Sequence, residues 1–228
     1  MRAWIRRSTG GLTAALGLVL LASCTPSPST PTVEPTPPVT TAGPTTSPDL
    51  RTAPWARPIS TGVEMWTTSK DGWTVTAYDM GRGEASQDSS VGEATTNQPL
   101  VRKGDPLAFV NLVATNTSDE VRYISIDEPD LWATPAAKLV KQGVVGVAPA
   151  TDQQARDHGI WYHNYSDETR EHYPFPLQPG ESCALGAVLP LSFGTDYLFV
   201  PRLAAHADAE TMLTTTVEFD QQTYTFES

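Results

Sequence analysis

The sequence lacks the short motifs that identify common classes of enzyme. It contains no Gly-x-Ser-x-Gly elbow of a serine hydrolase, no phosphate-binding loop and no dinucleotide-binding fingerprint. Apolar residues also fail to recur at helical spacing anywhere in the chain. From the missing motifs we expect a protein that is not an enzyme, with no catalytic residue, no metal site and no cofactor.

Hydrophobic runs long enough to cross a membrane are also absent. The uncharged apolar run over residues 12–21 has about ten residues, whereas a membrane-spanning helix needs about twenty. Arg2, Arg6 and Arg7 precede this run and small residues follow it. A positive start, a short apolar centre and small residues are the layout of a secretory signal peptide, which we assign to residues 1–23.

The signal ends in Leu21-Ala22-Ser23-Cys24, which resembles the lipobox of bacterial lipoproteins. The resemblance implies cleavage before Cys24, a diacylglyceryl group on its sulfur and a location on the extracytoplasmic side of the cell membrane. Two acyl chains would bind a bilayer durably, because each buried CH₂ contributes about 0.8 kcal/mol. The alternative is an ordinary signal peptide that ends near a cysteine.

Cysteine is scarce, with one residue at position 24 and one at position 183. If Cys24 carries the lipid, no intramolecular disulfide can form, and the apolar core must stabilise the fold. Cys183 alternates with Leu185, Ala187 and Leu189, so we expect its thiol to be buried with them. A catalytic thiol would need a cationic neighbour, and none lies close in the sequence.

Basic side chains are few, with 15 Lys and Arg against 26 Asp and Glu. Residues 1–23 contain three of the arginines and no acid, so the mature chain has 12 basic and 26 acidic side chains, a net charge of −14. Such a surface repels nucleic acid and anionic lipid headgroups. Nucleic acid is therefore excluded as a partner, and attachment to the membrane would depend on the lipid.

Residues 24–54 are predicted to form a disordered, lipid-anchored tether. Of residues 25–54, 9 are Pro, 9 are Thr and 3 are Ser, and no apolar pattern offers a face to bury. Frequent prolines favour an extended chain of about 3.1 Å per residue, so the tether could reach about 90 Å. The Ser/Thr/Pro composition fits either an unmodified spacer or an O-glycosylated stalk.

Residues 55–228 are enough for one β-rich domain. Two β-rich runs, 63–68 and 73–78, flank a Gly-containing turn and predict a hairpin, and 106–115 is apolar enough for a central strand. Further strands are predicted over residues 121–126, 183–191, 196–203, 212–219 and 222–227, with two short pieces in 138–147. The remainder is expected to be irregular: a loop over 81–98, a break over 127–135 and a long loop over 148–180. Many short strands without a helix predict an all-β sandwich.

Two stretches strengthen this prediction. Residues 111–120, Asn-Leu-Val-Ala-Thr-Asn-Thr-Ser-Asp-Glu, and residues 177–182, Leu-Gln-Pro-Gly-Glu-Ser, look like those of the immunoglobulin-like domains of actinobacterial secreted lipoproteins and antigens. The resemblance implies an immunoglobulin-like β-sandwich over about residues 73–219. The function of most of these domains is unknown, so the resemblance transfers no catalytic residue.

Two kinds of side chain in the long loop could have a function. Trp161, Tyr162, His163 and Tyr165 are aromatic residues in a polar segment, and such residues are good anchors for a protein or glycan partner. The alternative is a loop that folds back over the edge of the sandwich. His158, His163 and His172, with Asp157, Asp167, Glu168 and Glu171, could instead gather around zinc or copper, although their spacing matches no compact ligand motif.

The leading hypothesis is therefore a non-enzymatic binding or accessory module of the cell envelope, bound to the membrane through Cys24. The competing hypotheses are a metal-dependent hydrolase that uses the loop histidines and a structural spacer of the envelope.

Overall fold

The protein is an all-β sandwich of two sheets, as predicted. The computed structural model describes residues 49–89, 98–125, 130–135, 150–163, 165, 173–191, 194–206, 208–210 and 214–227. The predicted signal segment, Cys24, most of the predicted tether and the predicted strands of 138–147 lie outside these ranges. No helix in the described part is long and apolar enough to span a bilayer.

The first sheet has five strands. In spatial order these are β1 (Arg51–Thr52), β8 (Glu181–Pro190), β4 (Pro106–Asn116), β3 (Trp73–Glu84) and β2 (Val63–Lys70). β1 pairs with β8 in parallel, and the other neighbours are antiparallel.

The second sheet is organised around β9 (Asp196–His206). It also contains β5 (Arg122–Ile124), β6 (Asp130–Pro135), β7 (Phe175–Leu177), β10 (Thr214–Glu218) and β11 (Gln222–Thr225). β7 pairs with β5, and the other strands pair with β9, all of them antiparallel.

The predicted hairpin is confirmed as β2 and β3. Lys70 pairs with Trp73 across a two-residue turn in which Asp71 and Gly72 have φ of 50° and 75°. Positive φ at both central residues gives a turn whose twist matches that of the strands. Trp73, Val75 and Ala77 are fully buried, as their period of two predicted.

β4 is the central strand, as its apolar sequence predicted, and both of its faces are buried. Val110 and Leu112 lie in the core between the sheets, and Leu107 and Phe109 point to the opposite, outer face of the first sheet. Cys183 of β8 is also in the core between the sheets and fully buried, which confirms the prediction for its thiol.

The outer face has cores of its own. One cluster contains Leu107, Phe109 and Val188 of the sheet, and Ala155 and Ile160 of the covering segment pack against them. The first sheet is therefore covered on both faces, which explains why β4 has no polar face.

The two stretches that resemble immunoglobulin-like domains, residues 111–120 and 177–182, both contain turns, and Asn116 in the first stretch connects the two sheets. The Asn116 Nδ2 donates to the carbonyl oxygens of Glu120 and Leu177 at 2.8 Å each, and its Oδ1 accepts from the backbone and hydroxyl of Ser118. Residues 178–181 close a turn in which the Glu181 N–H donates to the Gln178 carbonyl at 2.9 Å. Asn116 is fully buried and fully hydrogen-bonded, and it links β4 to β7.

Two expectations for irregular segments were wrong. The segment predicted to break the chain contains β6, which forms a continuous ladder with β9. The long loop over 148–180 contains a helix, α1 (Asp152–Asp157), and the strand β7. β6 is stabilised by its pairing with the distant strand β9, which its own sequence does not reveal. α1 buries only Ala155, so its sequence carries little apolar periodicity.

The start of the loop predicted over residues 81–98 and the end of the tether predicted over residues 24–54 also differ from expectation. β3 continues to Glu84, so the predicted loop starts after this strand rather than at residue 81. The first sheet begins at β1, before the predicted domain start at Trp55. There Arg51 forms an ion pair with the buried Glu181 at 3.1 Å, and the Ala53 N–H donates to the Ser182 carbonyl.

Candidate functional site

The segment over residues 150–163 lies on the outer face of the first sheet. α1 begins after Thr151, whose hydroxyl accepts from the Gln154 N–H at 3.2 Å and so caps the helix. Ala155 is the helix residue buried in the outer core, and the Gln154 side-chain amide donates to the Glu84 carbonyl of β3 at 2.7 Å. One apolar contact and one hydrogen bond thus dock the helix on the sheet.

His158 holds the end of this helix against β3 and β4. Its Nδ1 lies 2.9 Å from the Gln154 carbonyl oxygen, and its Nε2 lies 3.1 Å from the Arg82 carbonyl oxygen. The imidazole stacks on the Phe109 ring with 3.7 Å between ring centroids. One ring nitrogen and one ring face therefore contact the sheet, and the other ring nitrogen contacts the helix.

The chain after the helix is fixed on β8 at Gly186. The Gly186 N–H donates to the Trp161 carbonyl oxygen at 2.7 Å. Ile160 is fully buried against this glycine, where any Cβ would lie 2.7 Å from the Ile160 Cβ. The glycine thus permits a close approach that a larger residue would prevent.

Trp161 and Tyr165 contact residues 56–57, which follow the predicted tether. The Arg57 guanidinium carbon lies 4.4 Å from the centroid of the Trp161 ring. The Arg57 Nε donates to the Tyr165 carbonyl oxygen at 3.0 Å, and Ala56 forms a β-bridge with Tyr165. We call Arg57, Trp161 and His163 the Arg–Trp surface.

The four aromatic residues singled out in the sequence occupy different environments. Trp161 and Tyr162 are half-buried, and His163 is exposed. Tyr165 is buried in the core, with its ring stacked 5.5 Å from Phe175, so it offers no contact area to a partner. The segment folds back over the sheet, and Trp161 and His163 still reach solvent.

Tyr162 is tied to the start of the same segment. Its hydroxyl donates to the Ala150 carbonyl oxygen at 3.2 Å. Burial, and secondarily the negative charge of Asp152, raise the pKa of Tyr162 to about 12. Tyr162 is therefore neutral at physiological pH and acts as a hydrogen-bond donor.

Arg57 differs from the arginines that pair with acids. Arg51, Arg82 and Arg202 each form an ion pair with a carboxylate. Within the described ranges Arg57 makes no ion pair, and its hydrogen bond uses Nε alone. No feature of the sequence links position 57 to position 161, and this member of the site was missed for that reason.

A second polar cluster lies at the bulge of β3. Arg82 holds the Asp79 carboxylate with both terminal nitrogens, and its guanidinium lies 4.7 Å above the Phe226 ring. Burial, together with the nearby Asp79 carboxylate, raises the pKa of Tyr224. The charges of Asp79 and Arg82 satisfy one another, so this cluster holds β11 beside β3.

The histidines proposed as metal ligands are only partly described. His172, Asp167, Glu168 and Glu171 lie outside the described residues. Among the described residues no group of three or more His, Cys, Asp or Glu side chains is close enough to hold a metal ion.

Comparison of the chain with known protein families, curated protein sequences and solved structures finds no match.

Proposed function

We propose that the protein is a non-enzymatic binding module, held by a lipidated Cys24 on the extracytoplasmic side of the cell membrane. The single observation that carries the binding role is the Arg57–Trp161 pair, with its guanidinium 4.4 Å from the indole centroid. Aromatic and arginine side chains are the residues most enriched in the energetically dominant parts of interfaces. Here both side chains are half-buried. The Trp161 carbonyl accepts from the Gly186 N–H of β8, and the Arg57 Nε donates to the Tyr165 carbonyl, so a partner would meet a preformed surface.

The lipid-anchor part of the proposal is supported by the sequence Leu-Ala-Ser-Cys at residues 21–24. Mass spectrometry of the mature protein is expected to show a diacylated N-terminal cysteine. Cys24→Ser should leave the precursor uncut, because the lipidation site is removed. An unmodified N-terminus at any other residue would refute the lipoprotein assignment.

The binding role is tested by substituting Trp161. The full-length protein is used as bait in the native envelope, and cross-linked partners are compared between wild type and Trp161→Ala. We expect the captured partner to be lost, with the melting temperature lowered by only a few degrees, since Trp161 is only half-buried and a solvent-accessible cation–π pair contributes about 0.5–1 kcal/mol. The backbone bond from Gly186 to Trp161 does not depend on the indole and should persist.

Tyr165→Ala is the matched control for an aromatic residue of the same segment. Tyr165 is buried, so its truncation should cost about 3–5 kcal/mol and lower the melting temperature by many degrees. If Trp161→Ala destabilises the protein as much as Tyr165→Ala, Trp161 is a core residue and the binding face lies elsewhere.

The metal-dependent hydrolase is the competing proposal, and metal analysis of the purified protein discriminates between the two. Coordination by His158 would require at least one of its carbonyl contacts, to Gln154 or to Arg82, to be given up. Stoichiometric zinc or copper in the purified protein would favour the hydrolase.

A further inference from the structure

We propose that the Arg–Trp surface binds a carboxylate group of a peptide partner, with the two terminal nitrogens of Arg57 as the receptor. This inference rests on the proposed binding function and names the chemistry that the surface recognises. It follows from how the Arg57 side chain is held and from which of its donors are already used.

The Arg57 side chain is fixed at two points. Its guanidinium stacks on the Trp161 ring at 4.4 Å, and its Nε donates to the Tyr165 carbonyl oxygen at 3.0 Å. A guanidinium has five N–H donors in a planar fork, and the bond to Tyr165 uses only the donor on Nε. In the part of the chain that the structure describes, Nη1 and Nη2 make no hydrogen bond and no ion pair.

These two nitrogens form the end of the guanidinium fork. Two parallel N–H groups match the two oxygens of a carboxylate, which they bind in a bidentate arrangement. Stacking and the Nε bond orient the fork before a ligand arrives, so little side-chain freedom is lost on binding. Arg82 shows the same chemistry satisfied within the fold, since its two terminal nitrogens donate to the two oxygens of the Asp79 carboxylate.

The negative net charge of the protein disfavours the binding of anions that carry more than one charge. The chain without its signal segment has a net charge of −14, which repels a dianionic phosphate more strongly than a single carboxylate. It also repels acidic polysaccharides, whose charges repeat along the polymer. A peptide can present one carboxylate, at its C-terminus or on an Asp or Glu side chain, beside neutral or cationic groups.

The test follows the Arg57 Nε–H signal by NMR in the mature protein in detergent micelles. The probes are N-acetylglycine for a peptide C-terminus, N-acetylaspartate diamide for a side-chain carboxylate, and N-acetylglycinamide as the neutral control. Glucuronate and inorganic phosphate complete the set. We expect at least one peptide carboxylate to shift the signal saturably and to bind about tenfold or more tightly than the amide, because only the carboxylate pairs with the fork.

Arg57→Lys retains the charge and removes the fork, so it should weaken binding of the carboxylate about tenfold or more, followed in wild type and variant alike by the indole N–H signal of the neighbouring Trp161. Arg102→Lys is the matched control, since Arg102 is exposed and makes no ring contact with any residue that the structure describes, and it should change binding less than about twofold. Tighter binding of glucuronate or phosphate than of both peptide carboxylates would overturn the proposal. An Arg57 signal that no probe moves would also overturn it, and the wild-type titration gives this answer even if Arg57→Lys fails to fold.

The two proposals fail in different ways. If Trp161→Ala loses its captured partner while no carboxylate binds at Arg57, the binding module stands and the carboxylate assignment is wrong. If Trp161→Ala retains every captured partner, the Arg57–Trp161 pair does not carry the binding role, and if the wild type captures no partner, the proposed binding function is itself refuted.

Discussion

Gly186→Ala tests directly whether the segment over residues 150–163 lies on the first sheet as described. A Cβ at position 186 would lie 2.7 Å from the Ile160 Cβ and 3.0 Å from its Cγ1 and Cδ1. The nearest of these atoms is attached to the backbone, so a side-chain rotation cannot remove the clash. Residues 160–161 would have to move away from β8 and strain the bond between the Gly186 N–H and the Trp161 carbonyl.

The expected cost combines two terms. Overpacking a buried site costs about 1–3 kcal/mol, and a weakened buried hydrogen bond adds about 1 kcal/mol. The free energy of unfolding should therefore fall by about 2–4 kcal/mol. For a domain of this size the melting temperature should fall by roughly 5–15 °C.

The assay is a double-mutant cycle by chemical denaturation. Ile160→Gly removes the clashing Cβ, so Gly186→Ala should cost about 1–2 kcal/mol less in that background than in the wild type. Gly180→Ala is the control, because a Cβ there meets nothing within 4 Å, although its φ of 79° still costs about 1 kcal/mol. Gly180→Ala should show no coupling to position 160. A neutral Gly186→Ala, or one with no coupling to Ile160, would refute the placement of the segment on the sheet.

Three further predictions concern two buried side chains and the half-buried Tyr162. Cys183→Ala should cost about 1 kcal/mol or somewhat more, and the native thiol should resist labelling, because Cys183 is fully buried. Asn116→Ala should cost about 2–4 kcal/mol, since two carbonyl acceptors lose their donor. The pKa of Tyr162 is near 10 in the unfolded state and about 12 in the folded state, so stability should fall as the pH rises between these values, by about 1 kcal/mol after discounting for partial solvent exposure.

Each of these has a measurement that can contradict it. Rapid labelling of native Cys183 would place the thiol at the surface. An Asn116→Ala variant as stable as the wild type in denaturant would mean that water replaces the amide. For Tyr162, the slope of the unfolding free energy between pH 10 and pH 12 should be shallower in Tyr162→Phe, which retains the ring and cannot ionise. Equal slopes would show that the phenol titrates alike in both states.

The elements that the sequence predicted correctly are those with strong local patterns. The hairpin of β2 and β3 combines period-two burial with a glycine turn, and β4 is too apolar to lie at a surface. The strands β8 to β11 were identified for the same reason, with boundaries that differ by a few residues. In each case the side chains of one short stretch determine its conformation.

The elements that were missed depend on distant partners. β6 forms along β9, about 65 residues further along the chain. α1 buries only Ala155, so it has no apolar stripe, and the one local signal of its start is the Thr151 cap. The candidate site was predicted only in part, because Arg57 joins Trp161 through folding of segments about 100 residues apart.

The close fit of Ile160 on Gly186 also has a consequence for how this protein can diversify. The segment that contains Trp161 is attached to the first sheet by the hydrogen bond from the Gly186 N–H and by the buried side chain of Ile160. Arg57 is only half-buried, and His163 is exposed to solvent. Under the proposed function, substitutions at Ile160 or Gly186 would therefore alter folding and recognition together, while substitutions at positions 57 and 163 would alter recognition with less cost in stability. Homologues that share the fold are accordingly expected to keep the small residue and its apolar partner, and to vary in ligand preference through the side chains around them.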